Sequence, residues 1–102
     1  MKLNYAQLNK IIGWAVFAAA LIIFWSTVEP TVSYWDAGEY IATSSKLEVG
    51  HPPGAPLYQM MGAAFSVFAL EATDIAYTVN LLAVFSSAFT ILFLFWSLTL
   101  LL

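Results

Sequence analysis

Two stretches without a single charged side chain, residues 11–28 and 81–102, constrain this 102-residue sequence more than any other feature. A helix rises about 1.5 Å per residue, so runs of this length approach or exceed the ~30 Å hydrocarbon core of a bilayer. The first contains Trp14, Phe17, Leu21, Ile22, Ile23, Phe24 and Trp25, and the second is dominated by Leu, Phe and Val. They predict transmembrane helices at about 11–28 and 74–102, the second beginning early because Thr73-Asp74 suits a cap and first turn. Composition agrees: 62% of residues are hydrophobic and 9% charged, against roughly half and a quarter in soluble domains. A soluble domain of about 100 residues buries only some two thirds of its chain surface, and the excess would be left as adhesive patches. The expected fold class is an all-α membrane protein, with two transmembrane helices joined by a non-cytoplasmic loop carrying interfacial helices.

Lys2 and Lys10 precede the first run and Glu29 follows it, which puts the N-terminus in the cytoplasm by the positive-inside rule. A cleaved signal peptide shares the basic start and apolar run, but its cleavage site wants small residues. The exit here is the bulky Phe24-Trp25-Ser26-Thr27-Val28, which favours an uncleaved anchor. The chain stops at Leu100-Leu101-Leu102 without a basic or aromatic anchor, the pattern of a span cut short. Three lysines, no arginine and a net charge of −3 leave no basic patch for nucleic acid. With no cysteine there is no disulfide, thiolate metal site or thiol nucleophile, and one histidine is too little for a His-rich metal site. No cofactor is expected, and a divalent metal is not indicated.

The chemically rich stretch lies between the runs. Residues 36–48 can form a short amphipathic helix on which Asp36, Glu39, Thr43 and Lys46 share one face. Gly50 is expected to end it. His51-Pro52-Pro53-Gly54 must be irregular, because each proline removes an N–H and pushes its predecessor out of the α region. Pro56 suits the first turn of another helix, spanning 55–70. That helix carries a large-residue stripe of Leu57, Met61, Phe65 and Phe68 and a small, weakly polar one of Gln59, Gly62, Ser66 and Ala69. About sixteen residues is short for a span, and an interfacial helix is favoured over a re-entrant or buried packing one.

Asp36-Ala37-Gly38-Glu39 places two carboxylates one turn apart where the chain leaves the membrane. Its bland reading is a capping box, with Asp36 as N-cap and Glu39 at N3. Its functional reading is a base toward an incoming hydroxyl. The His51 motif has a bland reading too, a rigid turn between two helices. Irregular backbone beside a membrane is tolerated mainly under protein cover or along a cavity, which points to a pocket.

At these residues a resemblance enters. Glu29-Pro-Thr-Val-Ser-Tyr-Trp-Asp36-Ala-Gly-Glu39-Tyr-Ile-Ala-Thr, followed by Leu47-Glu-Val-Gly-His51-Pro-Pro-Gly-Ala-Pro-Leu-Tyr58, resembles the start of the bacterial domain-of-unknown-function 2723 (DUF2723) family. That family is grouped with GT-C-type membrane glycosyltransferases and is related to protein O-mannosyltransferases. The resemblance implies a fragment of a polytopic GT-C-like enzyme in the bacterial inner membrane, its active loop non-cytoplasmic. It would transfer a sugar, mannose first, from a polyprenyl-phosphate donor to an acceptor protein or glycan hydroxyl. Carried over by motif, Asp36 is the general base and Glu39 an acceptor-orienting catalytic group. His51, Pro52 and Pro53 shape the donor-phosphate or acceptor site. Apart from the motif, Lys46 is the one lysine in the loop and a substrate-binding candidate, insufficient by itself to hold the donor's phosphate. The mannosyltransferases have adjacent Asp-Glu, whereas Ala37 and Gly38 separate the acids here. Two rival readings are a non-catalytic membrane subunit and a transporter fragment; transport acids tend to lie near the midplane rather than at a span's outer end.

Overall fold

The computed structural model describes residues 4–102, and Lys2, used above for orientation, lies outside the described residues. Four α-helices account for most of them: α1 (Tyr5–Ser26), α2 (Ala37–Lys46), α3 (Pro56–Ser66) and α4 (Ile75–Leu101), with a 3-10 turn (Ala72–Asp74) leading into α4. No strand occurs among the described residues. Two helical stretches, Tyr5–Ser26 and Ala72–Leu101, are long and apolar enough to cross a membrane. Their boundaries follow from local chemistry. Helix α1 starts before the uncharged run because Asn4 and Gln7 form a reciprocal capping box, Asn4 Oδ1 accepting from Gln7 N at 2.8 Å and Gln7 Oε1 from Asn4 N at 3.1 Å. The expected Thr73-Asp74 cap is replaced by the 3-10 turn, which has no side-chain cap bond.

The chain divides into two compact units, residues 1–27 with 84–102, and residues 28–83. In the first, α1 meets the later part of α4 through aromatic rings. Trp14 stands edge-on to Trp96 at 5.9 Å, Phe17 lies 4.7 Å from Phe89, and Trp25 meets Phe85 at 5.5 Å. Gly13 is the one buried residue of α1. Such outward-facing apolar surface would be a liability in water and is ordinary in lipid.

In the second unit α2 packs on α3. The contact uses the small, weakly polar stripe of α3, with Gln59 and Gly62 buried, while Leu57 and Met61 of the large stripe are exposed. At Gly62 the helices are so close that a Cβ would fall 2.6 Å from Ser44 Oγ. Helix α3 starts at Pro56, as its fixed φ favours. Helix α2 ends earlier than expected. Leu47, not Gly50, turns the chain with a left-handed φ of 52°. Leu47 N–H donates to Ser44 O and Glu48 N–H to Thr43 O, the Schellman pattern of bonds. Asn80, at the start of α4, ties the stretch after α1 by donating from Nδ2 to Glu29 O and Thr31 O, both at 2.9 Å.

Candidate functional site

The site is built on the first turn of α2 and the turn that precedes α3. Asp36 holds the N-cap position, yet its side chain makes no capping bond, so the capping box expected from the spacing is not formed. Glu39 turns instead to the sequence-distant His51. Its Oε1 accepts the His51 backbone N–H at 2.7 Å and its Oε2 meets His51 Nδ1 at 2.6 Å. An ionised carboxylate offers no hydrogen, so Nδ1 carries the proton of this bond. A neutral N-terminal N–H cannot compete with two donors, one of them on a ring that can carry charge.

Electrostatics follow the geometry. The His51 backbone bond, then its side-chain bond, hold the Glu39 carboxyl below the usual carboxylate value. In return the Glu39 hydrogen bond, then its charge, raise the His51 imidazole above its ordinary value, with a weaker pull from Asp36. Both side chains stand at a water-accessible boundary, His51 57% and Glu39 37% exposed, so the pair is screened and is a positional device more than a source of stability.

Beneath this pair lies a buried polar support. Thr43 Oγ1 donates to Glu39 O at 2.8 Å and accepts from Gln59 Nε2 at 3.0 Å, linking α2 to α3 under the carboxylate. Gly50 closes the arrangement, since a Cβ there would lie 3.0 Å from Glu39 Oε1 and 3.3 Å from Gln59 Nε2. The turn itself is closed by Gly54 N–H donating to His51 O at 2.8 Å, with the Pro52–Pro53 bond cis and Gly54 at φ 75°. A shallow cleft results, lined by Glu39, Tyr40, Thr43, Gly50, His51 and Gln59 among others. Beside it Tyr40 and Tyr58 stand edge to face at 5.4 Å, and burial, then Tyr40, push the Tyr58 phenol up.

Of the residues singled out in sequence, Glu39 and His51 are brought into contact, and Asp36 stands three residues before Glu39 at the head of the same helix. Pro52 and Pro53 shape the turn from exposed positions. Lys46 is exposed in the last turn of α2 and does not line the cleft. Sequence reasoning passed over Gln59 as a site residue and Thr43 as more than one point on a polar stripe. Their signal was two polar residues on short helices flanking the irregular turn. No three His, Cys, Asp or Glu side chains converge among the described residues to hold a metal.

Comparison with known proteins gives a consistent result. The family described as protein O-mannosyl-transferase TMEM260 N-terminal domain matches residues 36–102, a stretch that opens on Asp36. The chain is 37% identical over 68 residues to protein O-mannosyl-transferase TMEM260 of Mus musculus, covering 67% of this chain and 10% of that protein. It is 43% identical over 51 residues to protein O-mannosyl-transferase tmem260 of Dictyostelium discoideum, covering 50% of this chain and 6% of that protein. The matched stretches are thus a tenth or less of the curated relatives' length. No solved structure matches the chain significantly.

Proposed function

Because the chain belongs to the protein O-mannosyl-transferase TMEM260 N-terminal domain family, we propose that it is the membrane-embedded start of a glycosyltransferase of the GT-C type. The enzyme moves a hexose, mannose first, from a polyprenyl-phosphate carrier to an acceptor hydroxyl, such as that of a protein Ser or Thr. On this reading α1 and α4 cross the membrane, the inner one if the source is a bacterium of the DUF2723 group. The segment with α2 and α3 lies on the non-cytoplasmic side, and the remaining donor contacts come from helices beyond this chain. The observation that carries the reading is the Glu39 clamp on His51, which joins the two motifs, with Asp36 at the N-cap of the helix that carries Glu39.

The chemistry asked of the site is a displacement at the sugar's anomeric carbon. Asp36, free of capping duty, takes the proton of the acceptor hydroxyl. The acceptor oxygen bonds to the anomeric carbon as the bond to the carrier's phosphate oxygen breaks, and the electron pair leaves with the polyprenyl phosphate. General-base catalysis of this kind contributes about 10²-fold to 10⁴-fold. Sugar transfer from a polyprenyl-phosphate donor, measured in membranes holding equal amounts of the complete wild-type and Asp36→Asn proteins, tests it. Loss within that range supports Asp36 as base; near-normal transfer removes the assignment, because an amide cannot take the proton.

A further inference from the structure

Within the first unit, the opening turns of α1 and the last turns of α4 leave a groove of about 670 Å³ between them. Its walls are two helical rows. Ala6, Lys10 and Trp14 follow one another at i, i+4 and i+8 along α1, and Trp96 and Leu100 at i and i+4 along α4. Most of this wall is apolar, and two hydrogen bonds hold it to shape: Trp96 Nε1 donates to Asn9 O at 3.5 Å and the Tyr5 hydroxyl to Thr99 O at 3.3 Å. Gly13 lets the Trp96 indole lie against α1, since any Cβ there would strike it. The donors of Trp96 and Tyr5 are thus committed to backbone. Two polar groups of the groove are not: the half-buried Asn9 amide and the exposed Lys10 ammonium have no bonded partner among the described residues.

Lys10 is also the only charged side chain among the described residues of this unit. No carboxylate of the unit neutralises it. Resting on the reading above that α1 and α4 cross a membrane, we propose that the groove holds one anionic phospholipid, its headgroup phosphate at Lys10 and Asn9 and an acyl chain between the two rows.

Depth and charge together select this occupant. Lys10 follows the Asn4 cap by six residues, about 9 Å along the helix axis, and Trp14 stands about 6 Å further on. A lysine at that depth reaches back toward headgroups, and tryptophan belongs at the boundary where headgroups give way to chains. A lipid therefore brings its negative phosphate to the level of Lys10 and its chain to the level of Trp14 and Trp96. A bare anion would meet the lysine and leave the apolar walls uncovered. A further helix of the protein would have to place a carboxylate at this depth to pair with Lys10, and such groups are costly and rare in spans. The positive-inside rule puts this end of α1 in the cytoplasm, where the leaflet is the anionic one, and basic pockets between spans on that side bind acidic headgroups.

The experiment uses the complete protein in detergent micelles, titrated with phosphatidylglycerol or with phosphatidylcholine of the same acyl chains, and counts retained lipids by native mass spectrometry. The wild type should retain phosphatidylglycerol in preference. Lys10→Gln, which keeps length and removes charge, should weaken one phosphatidylglycerol site roughly fivefold, and Lys10→Arg should preserve it. Ala6→Phe fills the groove without touching the charge and should remove the same site. Glycerol 3-phosphate, the headgroup without chains, should not compete. A wild type that does not prefer phosphatidylglycerol overturns the proposal, as does a Lys10→Gln protein that keeps the preference in full. Retention of the site in Ala6→Phe overturns it as well, because the lipid then lies elsewhere; if that variant fails to fold, the exposed Lys10→Gln still decides. Competition by glycerol 3-phosphate would make the site one for a free phosphate and not for lipid. Sugar transfer is measured on the same preparations. Transfer without the lipid site removes this proposal alone, the lipid site without transfer removes the transferase reading alone, and a complete protein that stays in solution without detergent takes both down.

Discussion

Glu39 grips His51 at two points, accepting its backbone N–H at 2.7 Å and bonding Nδ1 at 2.6 Å, and so ties the first turn of α2 to the turn before α3. The tie depends on charge at both ends. His51 is raised from 6.5, so its share is complete below that value and is lost as pH rises through the higher folded value. Glu39 is lowered from 4.5, so its share is complete above that value and is lost as pH falls through the lower folded value. The tie is therefore fullest between about pH 4.5 and 6.5. The sequence has one histidine, so ring NMR in detergent micelles reads it without assignment. A midpoint above 6.5 is expected, shifting back toward that value in Glu39→Gln. A wild-type midpoint at or below 6.5 contradicts the clamp.

Orientation is checked by chemistry the chain makes easy. It has no cysteine, so single cysteines report without background. With the N-terminus cytoplasmic, a probe at Ser45→Cys in α2 is expected to react with an impermeant thiol reagent from the non-cytoplasmic face, and one at Leu102→Cys from the cytoplasmic face. Reaction of Ser45→Cys from the cytoplasm alone reverses the topology.

The α2 and α3 contact is set by Ser44 and Gly62. A Cβ on Gly62 would fall 2.6 Å from Ser44 Oγ and 2.7 Å from its Cβ, too near for a rotamer change to relieve. Gly62→Ala should destabilise by about 1–3 kcal/mol through overpacking. Ser44 Oγ is fully buried and has no hydrogen-bond partner among the described residues, and a buried unpaired polar atom costs about 1–3 kcal/mol. Ser44→Ala should therefore be neutral or stabilising. Thermal unfolding in detergent separates the two, and a stability loss in Ser44→Ala would mean that the hydroxyl bonds to something outside this contact.

Much of the architecture was legible because lipid imposes a coarse rule. Two uncharged runs become α1 and α4, and Pro56 opens α3 through the φ it fixes. The turn at His51 was legible from two prolines in succession. What could not be read was side-chain choice. The Asp36 and Glu39 spacing spells a capping box, but Glu39 has better donors twelve residues on, and no periodicity reveals a partner across a turn. Gly50 had the look of a helix stop, yet its small size serves the approach of Glu39 and Gln59, and the left-handed stop falls on Leu47. The Asn4 and Gln7 capping box was present in the letters and was masked by the apolar run that begins later.

Asn80 tests how the stretch after α1 is held. Its amide makes two 2.9 Å bonds to the carbonyls of Glu29 and Thr31, each contributing about 0.5–1.5 kcal/mol net. Asn80→Ala should leave the global fold intact and loosen residues 29–33. Amide hydrogen exchange there is expected to quicken several-fold, with exchange in α3 unchanged. Unchanged exchange in both would show that other contacts hold the stretch.

Gly50 offers a test of the clamp that leaves every charged group in place. Its backbone is not in the left-handed region, so alanine brings no conformational strain of its own. The difficulty is space: the new methyl would stand 3.0 Å from Glu39 Oε1 and 3.3 Å from Gln59 Nε2. Either neighbour could yield a few tenths of an ångström if it were free, and neither is. Glu39 Oε1 holds the His51 N–H, and Gln59 Nε2 is bonded to the buried Thr43 hydroxyl. Gly50→Ala therefore has to lengthen one of these bonds. The carboxylate lies at the half-exposed end of a flexible side chain, whereas the Gln59 bond is buried, so the clamp should give first. Stability should fall by about 1 kcal/mol, and the His51 midpoint should drop toward its ordinary value with no acid removed. A midpoint that stays raised in Gly50→Ala would mean that Glu39 keeps its hold and that the displacement passes to Gln59, in which case the loss should appear in the packing of α2 on α3.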